Sequence, residues 1–317
     1  MPRPLPVVLA LIFAGPAFGL DCPSGQRPFG HPAGETCIPI APQRIVTLSD
    51  QNGLLPLLEL GIVPVGSAGH AAADGTPLFR RTEGFDTSTV VHVGSYQAPD
   101  REAVAALAPD LIIATPWPEG QVEAFSPIAP TIVFDPFGQP LDVALLNLAD
   151  AVGRSAEAER LRADLRARAE ALRSRIGGRL TSVSTSFIAP QDGRSFWPET
   201  GGQAAGLAFR LLGIRRVPAQ EALAPGEGDE LGFEALPEHM GDLLFVLTYD
   251  GEGAGATMAA FLADPLVQAL PVAEADQIVE IVGTETVGAA WGKARAFMEA
   301  LAAAMSRPGL RDDLFIE

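Results

Sequence analysis

The runs Leu57-Leu58-Glu59-Leu60-Gly61-Ile62 and Arg210-Leu211-Leu212-Gly213-Ile214 end alike: an apolar helical stretch is closed by glycine. A second matched pair follows them. Glu102 stands eight residues before Asp110, which opens the apolar run Leu111-Ile112-Ile113-Ala114. Glu234 stands eight residues before Asp242, which opens Leu243-Leu244-Phe245-Val246-Leu247. Helix, acidic helix start and buried strand, twice in the same order, predict two α/β lobes built to one plan. Two such lobes imply a cleft between them, and a cleft is where a ligand goes.

Working outward, Arg44-Ile45-Val46-Thr47-Leu48 reads as a first strand, followed by a helix over Gly53–Leu60 and a second strand over Val63–Gly66. Residues 67–90 are polar and irregular and carry the pair Arg80-Arg81. Val90–Val93 reads as a short strand, Asp100 as the cap of a helix over Arg101–Leu107, and Ile132–Phe134 as a further strand. Apolar strand runs alternating with helices predict mostly parallel sheets covered on both faces. From Leu141 the pattern stays helical almost to Gly177, interrupted only by Gly153, so one long helix is expected to join the lobes. The second lobe restarts at Ser182–Ile188, and a closing helix is expected over about Gly288–Met305. The expected units are 1–19, 20–41, 42–140, 141–177 and 178–317.

Residues 1–19 read as a cleaved secretory signal, with Arg3 as the positive start, Val7 to Phe18 as the apolar stretch and Ala17-Phe18-Gly19 as the cleavage site. Asp21 before Cys22 argues against lipid attachment, so a soluble, exported, monomeric protein is expected. The only cysteines, Cys22 and Cys37, suit an oxidising compartment and are expected to pair, stapling a Pro- and Gly-rich N-terminal extension. A net charge of −17 disfavours nucleic acid and anionic membranes as partners. No HExxH, P-loop or GxSxG pattern occurs, and Gly251–Gly255 matches no phosphate loop. His31, His70, His92 and His239 have no metal-ligand spacing, so neither catalysis, a resident metal nor a cofactor is expected.

The segments Gln43–Leu48, Glu59–Gly66, Val93–Glu102, Leu107–Ala114, Leu211–Ile214 and Phe233–Leu236 resemble the substrate-binding proteins of ABC importers for ferric siderophores, ferric citrate, haem and cobalamin. The resemblance spans roughly residues 42–305, is specific in the first lobe and looser in the second. It implies two Rossmann-like lobes on one long connecting helix, a ligand cleft between them and an inner-membrane permease as partner. It also implies that Glu102 and Glu234, one per lobe, dock onto permease arginines, iron entering only as part of a bound chelate.

Ligand residues are expected on loops after strand ends. That places Trp117 after Leu111–Ala114, Arg194 and Trp197 after the first strand of the second lobe, and Tyr249 after Leu243–Leu247. Tyr96, Arg80, Arg81 and Trp291 complete the set. Aromatic faces suit a chelate or macrocycle and arginines suit its oxygens. A haem or cobalamin receptor, or an exported enzyme with its site at the lobe interface, are the alternatives.

Overall fold

The computed structural model describes residues 20–72, 74–177, 183–226, 228–249 and 254–306. The expected signal segment, residues 1–19, and the glycine-rich Gly251–Gly253 lie outside them. The extension is more ordered than its composition suggested. Gln26–His31 (β1) and Gly34–Pro39 (β2) form an antiparallel hairpin held by the Cys22–Cys37 disulfide. Its Ile38 is fully buried in the largest core cluster, so the extension shares the core of the lobe it covers. Opening a disulfide loop of this size costs about 3 kcal/mol by chain entropy. Cys22→Ser or reduction is expected to lower unfolding stability by about that amount in a denaturant titration.

The first lobe is built on Ile45–Thr47 (β3), Gly66–Ala71 (β4), Pro77–Leu78 (β5), Val91–Ser95 (β6), Ala98–Pro99 (β7), Leu111–Ala114 (β8) and Thr131–Val133 (β9). Their order is β7-β6-β4-β3-β8-β9, with β5 on β4. The inner pairs are parallel; β5 and β7 are antiparallel additions. The expected strand at Val63–Gly66 is displaced. The strand begins at Gly66 and runs to Ala71, because Pro64 in the approach has no N–H to give a ladder. Asp50–Leu54 is a π-helical turn leading into Leu55–Glu59 (α1), and Arg101–Ala106 (α2) starts on Asp100, whose carboxylate accepts from the Glu102 and Ala103 N–H groups. Gln121–Phe125 (α3) precedes β9.

The connector is two helices where one was expected. Leu141–Ala151 (α4) ends at Val152, Gly153 takes a left-handed φ of 69°, and Ser155–Ile176 (α5) starts afresh. The long element is therefore α5, with Glu157, Arg160 and Asp164 paired along its exposed side. Residues of both helices and of both sheets share one continuous core cluster.

The second lobe contains Thr185–Gln191 (β10), Ser195–Pro198 (β11), Leu231–Gly232 (β12), Leu243–Thr248 (β13) and Ile278–Val282 (β14), ordered β12-β11-β10-β13-β14. β10, β13 and β14 are parallel; β11 and β12 return antiparallel. The last helix, Trp291–Met305, packs on α5 and on the helix Gln203–Leu212.

The doubled sequence pattern has a doubled geometry. Gly61 and Gly213 both adopt φ of 72° at the ends of their helices, a conformation glycine takes without a Cβ penalty. Asp110 accepts hydrogen bonds from the Gln43 and Arg44 N–H groups (2.7 and 2.9 Å), fastening the start of β8 to the start of β3. Asp242 accepts from the Ser184 N–H and Oγ (both 2.8 Å), fastening β13 to β10 in the same way.

Candidate ligand-binding cleft

The strand exits of the two lobes meet. Asn52, past β3, accepts through Oδ1 from Gln203 Nε2 at 2.7 Å, and Gln203 Oε1 accepts from the Gly288 N–H at 3.0 Å. The Gln51 carbonyl accepts from the Ala289 N–H at 3.1 Å. Phe137, past β9, lies against Gly226, where a Cβ would come within 3.3 Å of its ring. These contacts make the floor of a cleft whose walls are the loops after the parallel strands.

On the second-lobe wall Trp197, Glu199, Thr200, Leu247 and Tyr249 line a cavity of about 260 Å³. Trp197 is 42% exposed on the edge of β11. The Tyr249 hydroxyl meets Thr286 Oγ1 at 3.3 Å. Burial, reinforced by the charge of Glu199, pushes the Tyr249 phenol up to about 12, while Thr286 and the cation of Arg81 pull it back. Arg81 belongs to the first lobe, so its charge reaches Tyr249 across the cleft. Glu199 is half-buried in this wall, and its desolvation raises its carboxyl; its carboxylate accepts from the Gly201 N–H at 2.8 Å, and Arg216 donates to its carbonyl at 2.8 Å.

On the first-lobe wall Arg80 stacks over Tyr96 with 4.7 Å between guanidinium and ring centroid. Its guanidinium is claimed by Asp50, which accepts from Nε and NH2 (both 2.9 Å) and also from the Arg80 N–H. Asp50 is completely buried, so this pair forms part of the wall. Arg81 follows with a left-handed φ of 65°, which turns it away from Arg80. Trp117 projects from the exit of β8, 68% exposed, where a cis bond to Pro118 bends the loop.

Two expected ligand residues lie elsewhere. Trp291 is only 2% exposed and packs in the main core, because the helix start it occupies is docked against α1. Arg194 sits on the tight β10–β11 turn, paired with Asp264 at 2.7 Å on the outer helices and close enough to Glu234 for their charges to interact. Its side chain is solvent-exposed and serves the outer face. Sequence reasoning missed Asp50 and Glu199. Neither carries a motif, and each matters through a partner distant in the chain. Glu102 and Glu234 are both exposed, the first on α2 and the second on the 3₁₀ turn Phe233–His239.

A larger cavity, about 550 Å³, lies between the hairpin and the β9–α4 edge, lined by Phe29, His31, Phe134 and Leu148 among others. It draws on the first lobe, its extension and α4, with no residue of the second lobe among its lining. The inter-lobe cleft is the candidate site because the strand exits of the two lobes are bonded to one another there and Arg81 of one lobe acts on Tyr249 of the other. Among the described residues no cluster of three or more His, Cys, Asp or Glu could hold a metal ion.

The periplasmic binding protein family matches residues 51–283, from the π-helical turn to the end of β14. This chain belongs to that family. Its members are substrate-binding proteins. Among relatives, the chain is 29% identical over 224 residues to the probable siderophore-binding lipoprotein YfiY of Bacillus subtilis, covering 68% of this chain and 67% of the relative. It is 28% identical over 241 residues to the iron(3+)-hydroxamate-binding protein YxeB of the same organism, covering 74% and 70%. It is 25% identical over 249 residues to the ferric-anguibactin-binding protein FatB of Vibrio anguillarum, covering 75% and 74%. In fold it is similar to Staphylococcus aureus SirA solved with staphyloferrin B, with a TM-score of 0.74, 20% identity and coverage of 89% and 99%. The two-lobed architecture expected from the resemblance is thus shared by a solved structure of the same kind.

Proposed function

We propose that this chain is the periplasmic receptor of an ABC importer, capturing a ferric siderophore or similar iron(III) chelate between its lobes and delivering it to an inner-membrane permease. What supports this reading is that Arg81 of one lobe, next in the chain to the Arg80–Tyr96 stack, acts by its charge on Tyr249 of the other, which lines a cavity with Trp197. Flat aromatic faces and a guanidinium suit a chelate's rings and oxygens, and nothing in the arrangement pairs a nucleophile with a base. The names of the relatives, siderophore and ferric hydroxamate binders, support the same ligand class. Export through a cleaved leader is part of this reading. Two relatives are named as lipoproteins; a Cys22 sulfur bonded to Cys37 supports the unacylated form for this chain. An intact mass beginning at Leu20 without acyl groups is the expected form, and a lipid-sized increment on Cys22 would reject it.

Intrinsic tryptophan fluorescence tests the receptor reading directly, since Trp197 lines the second-lobe wall beside Tyr249. Ferric hydroxamate, catecholate and citrate complexes, haem and cobalamin would each be titrated, and saturable quenching by a ferric chelate is expected. Silence from all ferric chelates, or saturation only with haem or cobalamin, would reject it. Arg81→Ala is expected to weaken binding roughly tenfold, or about 1.4 kcal/mol. Arg194→Ala is expected to change it by less than about twofold, since its guanidinium is engaged outside the cleft.

A further inference from the structure

The β1–β2 hairpin lies before residue 51, where the family match begins, so the cavities it builds against the first lobe owe one wall to a part of the chain outside that match. The larger, about 550 Å³, and a neighbour of about 270 Å³ share Pro32, Val133 and Asp135 in their linings and so adjoin along the edge of β9. Volumes of this order suit a small organic molecule. Much of the wall is apolar, from Phe29 and Phe134 in the larger cavity to Pro118 and Val122 in the smaller.

The charges on these walls have one sign. Asp135 lines both cavities, Glu119 and Glu123 line the smaller, and neither lining contains a lysine or an arginine. His31 spends both ring nitrogens within the protein: Nδ1 accepts from the Ala33 and Val133 N–H groups (both 3.3 Å), and Nε2 meets Thr36 Oγ1 at 2.9 Å. Burial lowers its pKa, so it adds no cation near neutral pH. Arg27, the hairpin's arginine, is paired with Asp150 at 3.0 Å. Asp135 has one oxygen to offer. Its Oδ1 accepts from the Phe137 and Gly138 N–H groups (2.9 and 3.0 Å), while no hydrogen bond among the described residues reaches Oδ2. Any Cβ on Gly138 would strike Oδ2, so the glycine keeps that oxygen clear. Gln121, 6% exposed in the wall of the smaller cavity, holds the Thr115 N–H with Oε1 at 3.0 Å and leaves Nε2 buried without a partner. A free carboxylate oxygen asks for a cationic donor, and a free amide N–H for an acceptor.

We propose that these cavities form a second binding site, for a small organic amine, whose ammonium meets Asp135 Oδ2 and whose body lies along Phe29 and Pro32, a hydrogen-bond acceptor on the same molecule satisfying Gln121. A carboxylate between apolar walls attracts a cation more strongly than one in open water, and such walls favour a cation carried on an organic body over a bare hydrated ion. This site is separate from the inter-lobe cleft and stands whether or not the cleft takes a chelate.

The mature protein would be titrated calorimetrically with tyramine and cadaverine, and with tyrosol and 4-hydroxyphenylacetate as the neutral and anionic counterparts of tyramine. Saturable binding of the amines is expected, tyramine at least roughly tenfold tighter than tyrosol, and none of the anion. Asp135→Asn keeps an acceptor for the two N–H groups and removes the charge, so a loss of roughly tenfold in tyramine affinity is expected. Ala33→Arg sets a cation on the exposed hairpin tip beside the smaller cavity. It is expected to weaken amine binding likewise while leaving tryptophan quenching by a ferric chelate within about twofold. Saturation by neither amine, equal binding of tyrosol or of the anion, or an amine affinity unchanged in both folded variants overturns the site. Displacement of the amine by a saturating ferric chelate overturns it too, since the amine would then share the inter-lobe cleft.

Discussion

Replacing Glu102 and Glu234 together with alanine is expected to lower chelate uptake by whole cells roughly a hundredfold while leaving the purified protein's chelate affinity unchanged. The two acids sit at the same place in the doubled pattern, each at the start of a short helix on its own lobe and each exposed. Glu102 is held on the first turn of α2, where Asp100 caps the helix and fixes the side chain's base. Glu234 folds its carboxylate back over Gly232, where any side chain would collide with it, and feels the positive charge of Arg194. Charge-assisted contacts to permease arginines that become desolvated on docking are worth about 2 kcal/mol or more each. If each acid served only to complement its helix dipole, the double substitution would cost about 1 kcal/mol of stability and nothing in transport. Uptake at the wild-type rate with intact binding would therefore refute docking. Single substitutions are expected to fall between, because two lobes that dock independently share the loss, and Arg194→Ala is expected to leave uptake intact or raise it.

The parts of this molecule that the sequence made legible are those whose causes are local. Gly61 and Gly213 end helices because only glycine takes a left-handed φ without cost, and that requirement shows in one residue. Asp110 and Asp242 tie neighbouring strands by bonding backbone N–H groups, so they must stand directly before apolar runs, and the eight-residue spacing exposed them. Tyr249 and Tyr96 follow strand ends, where the rule that strand exits carry ligand groups looks for them, and Trp197 stands within β11 beside Tyr249. The same rule misled for Trp291, which follows a strand but begins a helix buried against α1, and for Arg194, whose turn points outward to Asp264. The hairpin over Gln26–Pro39 escaped notice because its alternation is interrupted by proline and glycine. The Asp50–Arg80 pair was beyond reach, since the two residues are thirty apart and only the fold joins them.

Glu59 carries the other large expected effect, in the dependence of stability on pH. Its carboxylate, at the end of α1 in the first lobe, accepts from the N–H groups of Trp291 and Gly292 (2.8 and 2.6 Å) at the start of the last helix of the second lobe. It thus caps a helix across the lobe boundary, beside the Gln51–Ala289 and Asn52–Gln203 bonds, as a second tie between lobes besides α5. Burial raises its carboxyl from 4.5 to about 7, outweighing the two backbone bonds and the cation of Lys293, which is itself paired with Glu285 at 3.2 Å. A raised carboxyl means that the folded state binds more protons than the unfolded chain between these two values. The stability it contributes is fully present below pH 4.5 and is lost as pH rises through about 7, amounting to roughly 3 kcal/mol. Glu59→Gln cannot titrate, and its amide loses one of the two acceptors, a penalty that does not vary with pH. Unfolding free energies measured for both proteins across this range are expected to converge or cross as pH rises, the wild type losing about 3 kcal/mol relative to the variant. A difference that stays level from pH 4.5 to 7 would mean that the carboxylate is ionised throughout and that its two backbone bonds outweigh its burial.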